Sequence, residues 1–168
     1  AQHKGLDVVV TADCTHKDWL THCEQNLVEE ENGVYTHENF ETRFLVGTEV
    51  QDQTRVHHLI YLPDLARAHE LREKLKPFGN LDHVMAGRPM LRLNPEKLAE
   101  IVEQVGGMLG PAHSFTPYFG VYAHYDSIAK AYGSFAKNIH FMELGLSADS
   151  YFADLIKACL NNENCMNN

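Results

Sequence analysis

The chain has 168 residues, enough for one domain by a prior of about 150 residues each. Hydrophobic residues make up 44% and charged ones 22%, an ordinary globular balance, and no apolar run approaches the roughly 18 residues of a membrane span. With 14 basic against 23 acidic residues the formal charge is −9, which argues against a protein that coats nucleic acid non-specifically; a site that cradles one phosphodiester around bound metal stays open.

The 11 histidines add positive charge below about pH 6.5. The first residues, Ala1-Gln2-His3-Lys4-Gly5, read as the tail of a helix capped by Gly5, as in a piece of a longer protein. No secretory pattern is visible. Cys14, Cys23, Cys159 and Cys165 show no CxxC spacing, so neither a zinc ribbon nor a disulfide framework is read from them, and a reducing, cytoplasmic compartment is expected. Cys14, next to Asp13, reads first as a small buried thiol.

In chain order, residues 6–11 form a β-branched run expected of a strand buried on both faces. Thr15 reads as the N-cap of a helix from Lys17 to about Glu31, stopped by Asn32-Gly33. Residues 44–50 and 56–61 read as two strands joined by the polar turn Gln51-Asp52-Gln53-Thr54. Pro63-Asp64 opens a helix through Lys76 with Leu65, Ala68, Leu71 and Leu75 on one face. A loop over 77–89 follows, and then Asn94-Pro95-Glu96 starts a helix that stops near Gly106-Gly107. Residues 108–112 read as a short buried strand, 114–123 as an aromatic loop, 125–132 as a helix, 139–144 as a strand and 148–160 as an amphipathic helix. Alternating strands and helices predict an α/β fold with a mainly parallel sheet or barrel.

Several of the apolar runs deliver a metal-binding residue where a strand should stop, as active sites of α/β folds do. The candidates are Asp13 and His16, Glu49, His57 or His58, His113 and Glu143. Asp13 reads equally as a helix cap or a ligand. Glu49 closes an apolar strand, where a carboxylate needs a partner or a metal. Neighbours on a strand point to opposite faces, so only one of His57 and His58 enters a given site. His3, His22, His37, His69, His83, His124 and His140 read as surface or packing residues. Mixed imidazole and carboxylate donors suit zinc, manganese or iron.

Thr11-Ala12-Asp13, Gly47-Thr48-Glu49-Val50 with Val56-His57-His58-Leu59-Ile60-Tyr61, and Pro111-Ala112-His113 resemble the second, third and fourth motifs of the PHP (polymerase and histidinol phosphatase) phosphoesterases. The match is closer to the endonuclease Q branch, through Lys4-Gly5-Leu6-Asp7-Val8-Val9, Asp13 with Thr15-His16, Arg55-Val56-His57-His58-Leu59-Ile60, Gly87-Arg88-Pro89, Pro111-Ala112-His113 with Phe115-Thr116-Pro117, and Glu143-Leu144-Gly145-Leu146-Ser147-Ala148-Asp149. The resemblance implies a distorted (βα)7 barrel with a two- or three-metal centre. It implies an enzyme that cuts DNA on the 5′ side of deaminated bases such as uracil and hypoxanthine, or at abasic sites. The family's His-x-His first motif and Asp-x-His last motif have no counterpart here, so the 168 residues are expected to be the central portion of one PHP-like domain. The second motif, often Asp-His, reads Asp13-Cys14-Thr15-His16 here.

On that resemblance Glu49, His57 and His113 are ligands, with Asp13 or His16 completing the set, and Glu49 and Arg88 serve the chemistry, Arg88 by clamping a phosphate oxygen. Phe115, Tyr118, Phe119 and Tyr122 either stack an extruded base or pack their loop. A PHP phosphatase acting on a small phosphomonoester, and a degenerate domain that binds a partner, are the alternative readings.

Overall fold

One long strand organises the molecule. In the computed structural model, which describes residues 4–84 and 87–145, β4 (Phe40–Gln51) runs for 12 residues and serves two neighbourhoods. Its first half pairs antiparallel with β3 (Val34–His37) on one edge and parallel with β1 (Val8–Val10) on the other, so that Phe44 faces both Tyr35 and Val9. Its second half pairs antiparallel with β5 (His57–Leu62), which pairs antiparallel with β6 (Met108–Pro111). With β2 (Val28–Glu31) beside β3, the order is β2-β3-β4-β5-β6 in a curled, mainly antiparallel sheet. The fold is mixed α/β.

Side-chain alternation sorts this sheet into two faces. Val46, Val50, Ile60, Leu62 and Leu109 enter the core, where they meet Ala68, Leu71 and Leu75 of α2 (Leu65–Leu75) and Leu98, Ile101 and Val102 of α3 (Pro95–Gln104). Both helices start where side chains satisfy free backbone donors. Asp64 Oδ1 accepts from Arg67 N at 2.7 Å and Asn94 Oδ1 from Lys97 N at 2.8 Å, with Pro95 in the first turn.

The β4–β5 connection is fixed by Asp52, whose Oδ1 accepts from Thr54 N, Thr54 Oγ1 and Val56 N at 2.7, 2.8 and 3.0 Å. Its Oδ2 lies 3.1 Å from His58 Nε2, and His58 Nδ1 lies 2.9 Å from the Tyr132 hydroxyl. All three groups are buried, and each polar atom that is desolvated has a partner. His58 is thereby the packed member of the histidine doublet.

Several expectations are corrected. The first helix, α1 (Lys17–Asn26), ends before residue 31; Val28–Glu31 is strand, and Asn32-Gly33 is the two-residue turn of the β2–β3 hairpin. Asn32 and Gly33 have φ of 50° and 76°, the left-handed pair that a tight hairpin needs. The N-cap of α1 is His16; Thr15 is buried, with its hydroxyl 3.4 Å from that of Thr48. The sheet is not mainly parallel, because two helices separate β5 from β6, so the chain returns to the end it left and Met108 pairs with Tyr61. β1 is not buried on both faces: Val8 is 50% exposed. The helix expected over 125–132 is shorter, α4 (Ile128–Tyr132), capped by Ser127. Instead of a strand over 139–144, Ile139 makes a single parallel bridge to Leu109. The helix expected over 148–160, with Cys159, Cys165 and His3, lies outside the described residues.

Candidate metal centre

The face of the sheet opposite the core carries the chemistry. In the β4–β5 register Glu49 pairs with Leu59 and Gln51 with His57, so Glu49, Gln51 and His57 share this face while Val50 and His58 share the other. Glu49 and His57 are diagonal neighbours, within reach of their side chains. His113 arrives two residues after β6 ends, with φ of 28°. Its turn is held by Ala112 N donating to His57 O at 3.0 Å and by its own N–H donating to Glu143 Oε2 at 2.8 Å.

Three ligand atoms converge there. His57 Nδ1 is 3.1 Å from Glu49 Oε1 and 3.0 Å from His113 Nε2, and His113 Nε2 is 3.8 Å from Glu49 Oε1. Bonds of about 2.0–2.1 Å in a tetrahedral site put ligand atoms about 3.3 Å apart. The observed triangle brackets that spacing, and its donors, two imidazoles and a carboxylate, are of the type transition metals take. These residues fit a divalent ion.

Neighbours tune the cluster. Gln51 Oε1 lies 3.2 Å from His57 Nε2 and can accept its N–H once a cation takes the Nδ1 lone pair; without a cation, Nδ1 instead faces Glu49 as the donor. Hydrogen bonding from His57, and then the charge of Arg88, hold the Glu49 carboxyl below the usual carboxylate range against the opposing pull of burial. Phe119 stacks on His57 with centroids 4.8 Å apart, and the Arg55 guanidinium lies 5.0 Å from the centroid of the Phe119 ring. Among the described residues, His113 Nδ1 is a buried nitrogen without a hydrogen-bond partner.

The remaining candidates divide. Arg88 Nη1 is 3.0 Å from Glu49 Oε1. Asp13 does not cap α1; its carboxylate lies against Gly87, where any Cβ would collide with it, so it borders the segment that delivers Arg88. Asp13 and Ala12 hold φ of 45° and 53°, which turns the chain sharply off β1. Neither Asp13 nor His16 belongs to the group formed by Glu49, His57 and His113. His16 sits on the Asp82 side, next to Lys17, whose N–H donates to Asp82 Oδ1 at 2.9 Å. Glu143 supports the His113 turn through its side chain. Phe115 is occupied by stacking on Tyr122, with centroids 5.1 Å apart and planes at 14°, whereas Tyr118 is 72% exposed. Burial, then Cys23 and Asp13, push the Cys14 thiol far up, which fits an inert buried residue. The sequence offered Gln51 only as a turn residue and Arg55 only within the endonuclease Q-like stretch; the signal for Gln51 is its position two residues beyond Glu49 on one strand face.

No protein-family model matches the chain. It is 40% identical over 114 residues to an uncharacterized protein of Methanocaldococcus jannaschii, covering 68% of this chain and 13% of that one. A second uncharacterized protein, from Bacillus subtilis, is 24% identical over 165 residues, 41% of its length. Among solved structures, the lesion-specific endonuclease PfuEndoQ from Pyrococcus furiosus is 39% identical with a TM-score of 0.81, over 92% of this chain and 37% of that one. An endonuclease Q in complex with a 27-mer duplex substrate, with an abasic lesion at its active site, gives the same identity and TM-score over 38% of its chain. The chain thus spans well under half of each of these relatives, and over the matched part it is endonuclease Q-like in both sequence and fold.

Proposed function

We propose that the protein is a metal-dependent phosphoesterase, an endonuclease Q-like enzyme that hydrolyses a DNA phosphodiester on the 5′ side of a deaminated base such as uracil or hypoxanthine, or at an abasic site. Its sheet is read as part of a PHP-type distorted (βα)7 barrel. The observation that carries this reading is the Glu49–His57–His113 cluster on the non-core face of a sheet that matches endonuclease Q structures. A partner DNA is supported by the duplex bound to one of those neighbours.

Glu49, His57 and His113 would hold a zinc, manganese or iron ion, and a complete site would hold two or three, with Asp13 or His16 contributing. A divalent ion there supplies Lewis-acid polarisation of a phosphoryl oxygen and activation of water. Glu49 stays ionised through its contacts with His57 and Arg88, so it can hold a cation at neutral pH. Arg88 has a planar, permanently charged guanidinium that is solvent-accessible and anchored on Glu49, well suited to clamp a phosphate oxygen. Arg55 adds a second cation on the same side. These two arginines and bound metal offset a formal charge of −9 where the polyanion must approach.

The test is metal content with activity. The wild-type protein is expected to carry at least one transition-metal ion per chain and to nick uracil, hypoxanthine or abasic duplexes. Glu49→Gln and His113→Ala are expected to lose metal and to lower nicking by 100-fold or more, on the order of an electrostatic contribution of about 3 kcal/mol, with unchanged circular dichroism. Turnover of an aryl phosphate without nicking would point instead to a phosphatase, and a folded protein that binds no transition metal would sink the reading.

A further inference from the structure

We infer that Tyr118 is the residue that stacks on a nucleobase displaced at the lesion, an inference that rests on the endonuclease reading above. Four aromatic residues decorate the loop after His113, and three are occupied. Phe115 and Tyr122 stack on each other, and Phe119 is taken up by stacking on His57 and by the Arg55 guanidinium. Tyr118 is left at the tip, 72% exposed, with no ring partner among the described residues.

Its backbone shows the same thing. Tyr118 has φ of 69°, a region that a bulky residue rarely adopts and that persists only where the surroundings impose it. The surroundings do. The Tyr118 carbonyl accepts from His124 Nε2 at 2.9 Å, and the next carbonyl, that of Phe119, accepts from His57 N at 3.0 Å. Thr116 N donates to His113 O at 2.8 Å and Gly120 N to Thr116 O at 2.9 Å, and a Cβ at Gly120 would collide with the Ser114 carbonyl. The loop is therefore braced against the ligand-bearing strand, and the bracing drives the Tyr118 ring outward. A ring held rigidly in water one residue from a group that touches His57 suits a flat apolar ligand that arrives with the phosphate. An unstacked base has such a face, whatever its identity.

The experiment compares wild type, Tyr118→Ala and Tyr118→Phe as metal-loaded proteins, by fluorescence anisotropy with a uracil-containing duplex and an undamaged one, and by single-turnover nicking. Tyr118→Ala is expected to bind the uracil duplex roughly 5- to 150-fold more weakly, the range for loss of one base–aromatic stack. Metal content and binding to undamaged DNA are expected to stay unchanged. Tyr118→Phe should behave as wild type, since the π-face is retained. Equal binding by Tyr118→Ala and wild type would overturn the inference, as would equal losses on both duplexes, or a Tyr118→Phe defect as large as that of Tyr118→Ala. A metal-loaded wild type that neither binds nor nicks lesion DNA would overturn the endonuclease reading itself, a result separable from the variant comparison.

Discussion

Gln51 is the side chain that orients one member of the candidate metal cluster without belonging to it. A neutral imidazole carries one N–H, and the carbonyl oxygen 3.2 Å from His57 Nε2 gives that proton a place, keeping Nδ1 free as a ligand. Gln51 is itself held rigidly, its N–H donating to Pro89 O at 2.9 Å and its carbonyl accepting from Leu91 N at 2.7 Å. Gln51→Met keeps the length of the side chain and removes the carbonyl acceptor. Loss of such an outer partner should weaken transition-metal affinity about 10- to 100-fold. Competition with a chromophoric chelator would measure it, and an unchanged affinity would remove Gln51 from the ligand set-up.

At the scale of elements, the β2–β3 hairpin shows what the sequence conveyed and what it hid. Asn32-Gly33 reads as a helix stop because the preceding Leu20 and Cys23 keep helical spacing and Glu29-Glu30-Glu31 has little strand propensity. In the structure the same dipeptide is a two-residue turn, and the glutamates occupy an exposed edge strand whose partner, β3, is secured by β4. Charge on an edge strand also discourages pairing with other chains. Local propensity lost to tertiary pairing there. The strand and helix starts that survive are those with a local cause, such as Asn94-Pro95 and Pro63-Asp64. The candidate ligands Glu49, His57 and His113 could be proposed from sequence because each lies in or beside an apolar strand, whereas the place of Gln51 depends on register and that of Arg55 on ring stacking, which no single segment encodes. Gly33 supplies the prediction: a Cβ there would run into the Pro63 carbonyl, and φ is 76°. Gly106, at φ of 68°, has only Pro63 Cγ nearby at 3.9 Å. Gly106→Ala should cost about 1 kcal/mol, the left-handed conformational penalty alone, and Gly33→Ala clearly more. Urea midpoints of the two variants give the comparison, and equal losses would mean the hairpin tip has room to shift away from Pro63.

For the whole molecule, one carboxylate links parts of the chain that local structure leaves separate. His16 gives α1 no side-chain cap, and Asp82 supplies the missing acceptor from 65 residues away, its Oδ1 taking Lys17 N at 2.9 Å. The same carboxylate receives Arg72 of α2 in a two-pronged bond at 2.8 and 2.6 Å, and Arg72 also donates to Thr15 O. α1, α2 and the loop before Gly87 are thus tied at the point where the chain leaves Asp13. The hydrogen bonds from Arg72, aided by Lys17 N–H and opposed by burial, pull the Asp82 carboxyl down to about 2. Its unfolded value is near 3.9. A folded value below the unfolded one means that the contribution is complete above about pH 4 and is lost as pH falls towards 2. Asp82→Asn keeps the shape and removes the titration. The difference in urea midpoint between wild type and Asp82→Asn should therefore be constant above about pH 5 and shrink between about pH 4 and 2. A difference that stays level through that window would mean that the Arg72–Asp82 pair is not what fastens α1 to α2.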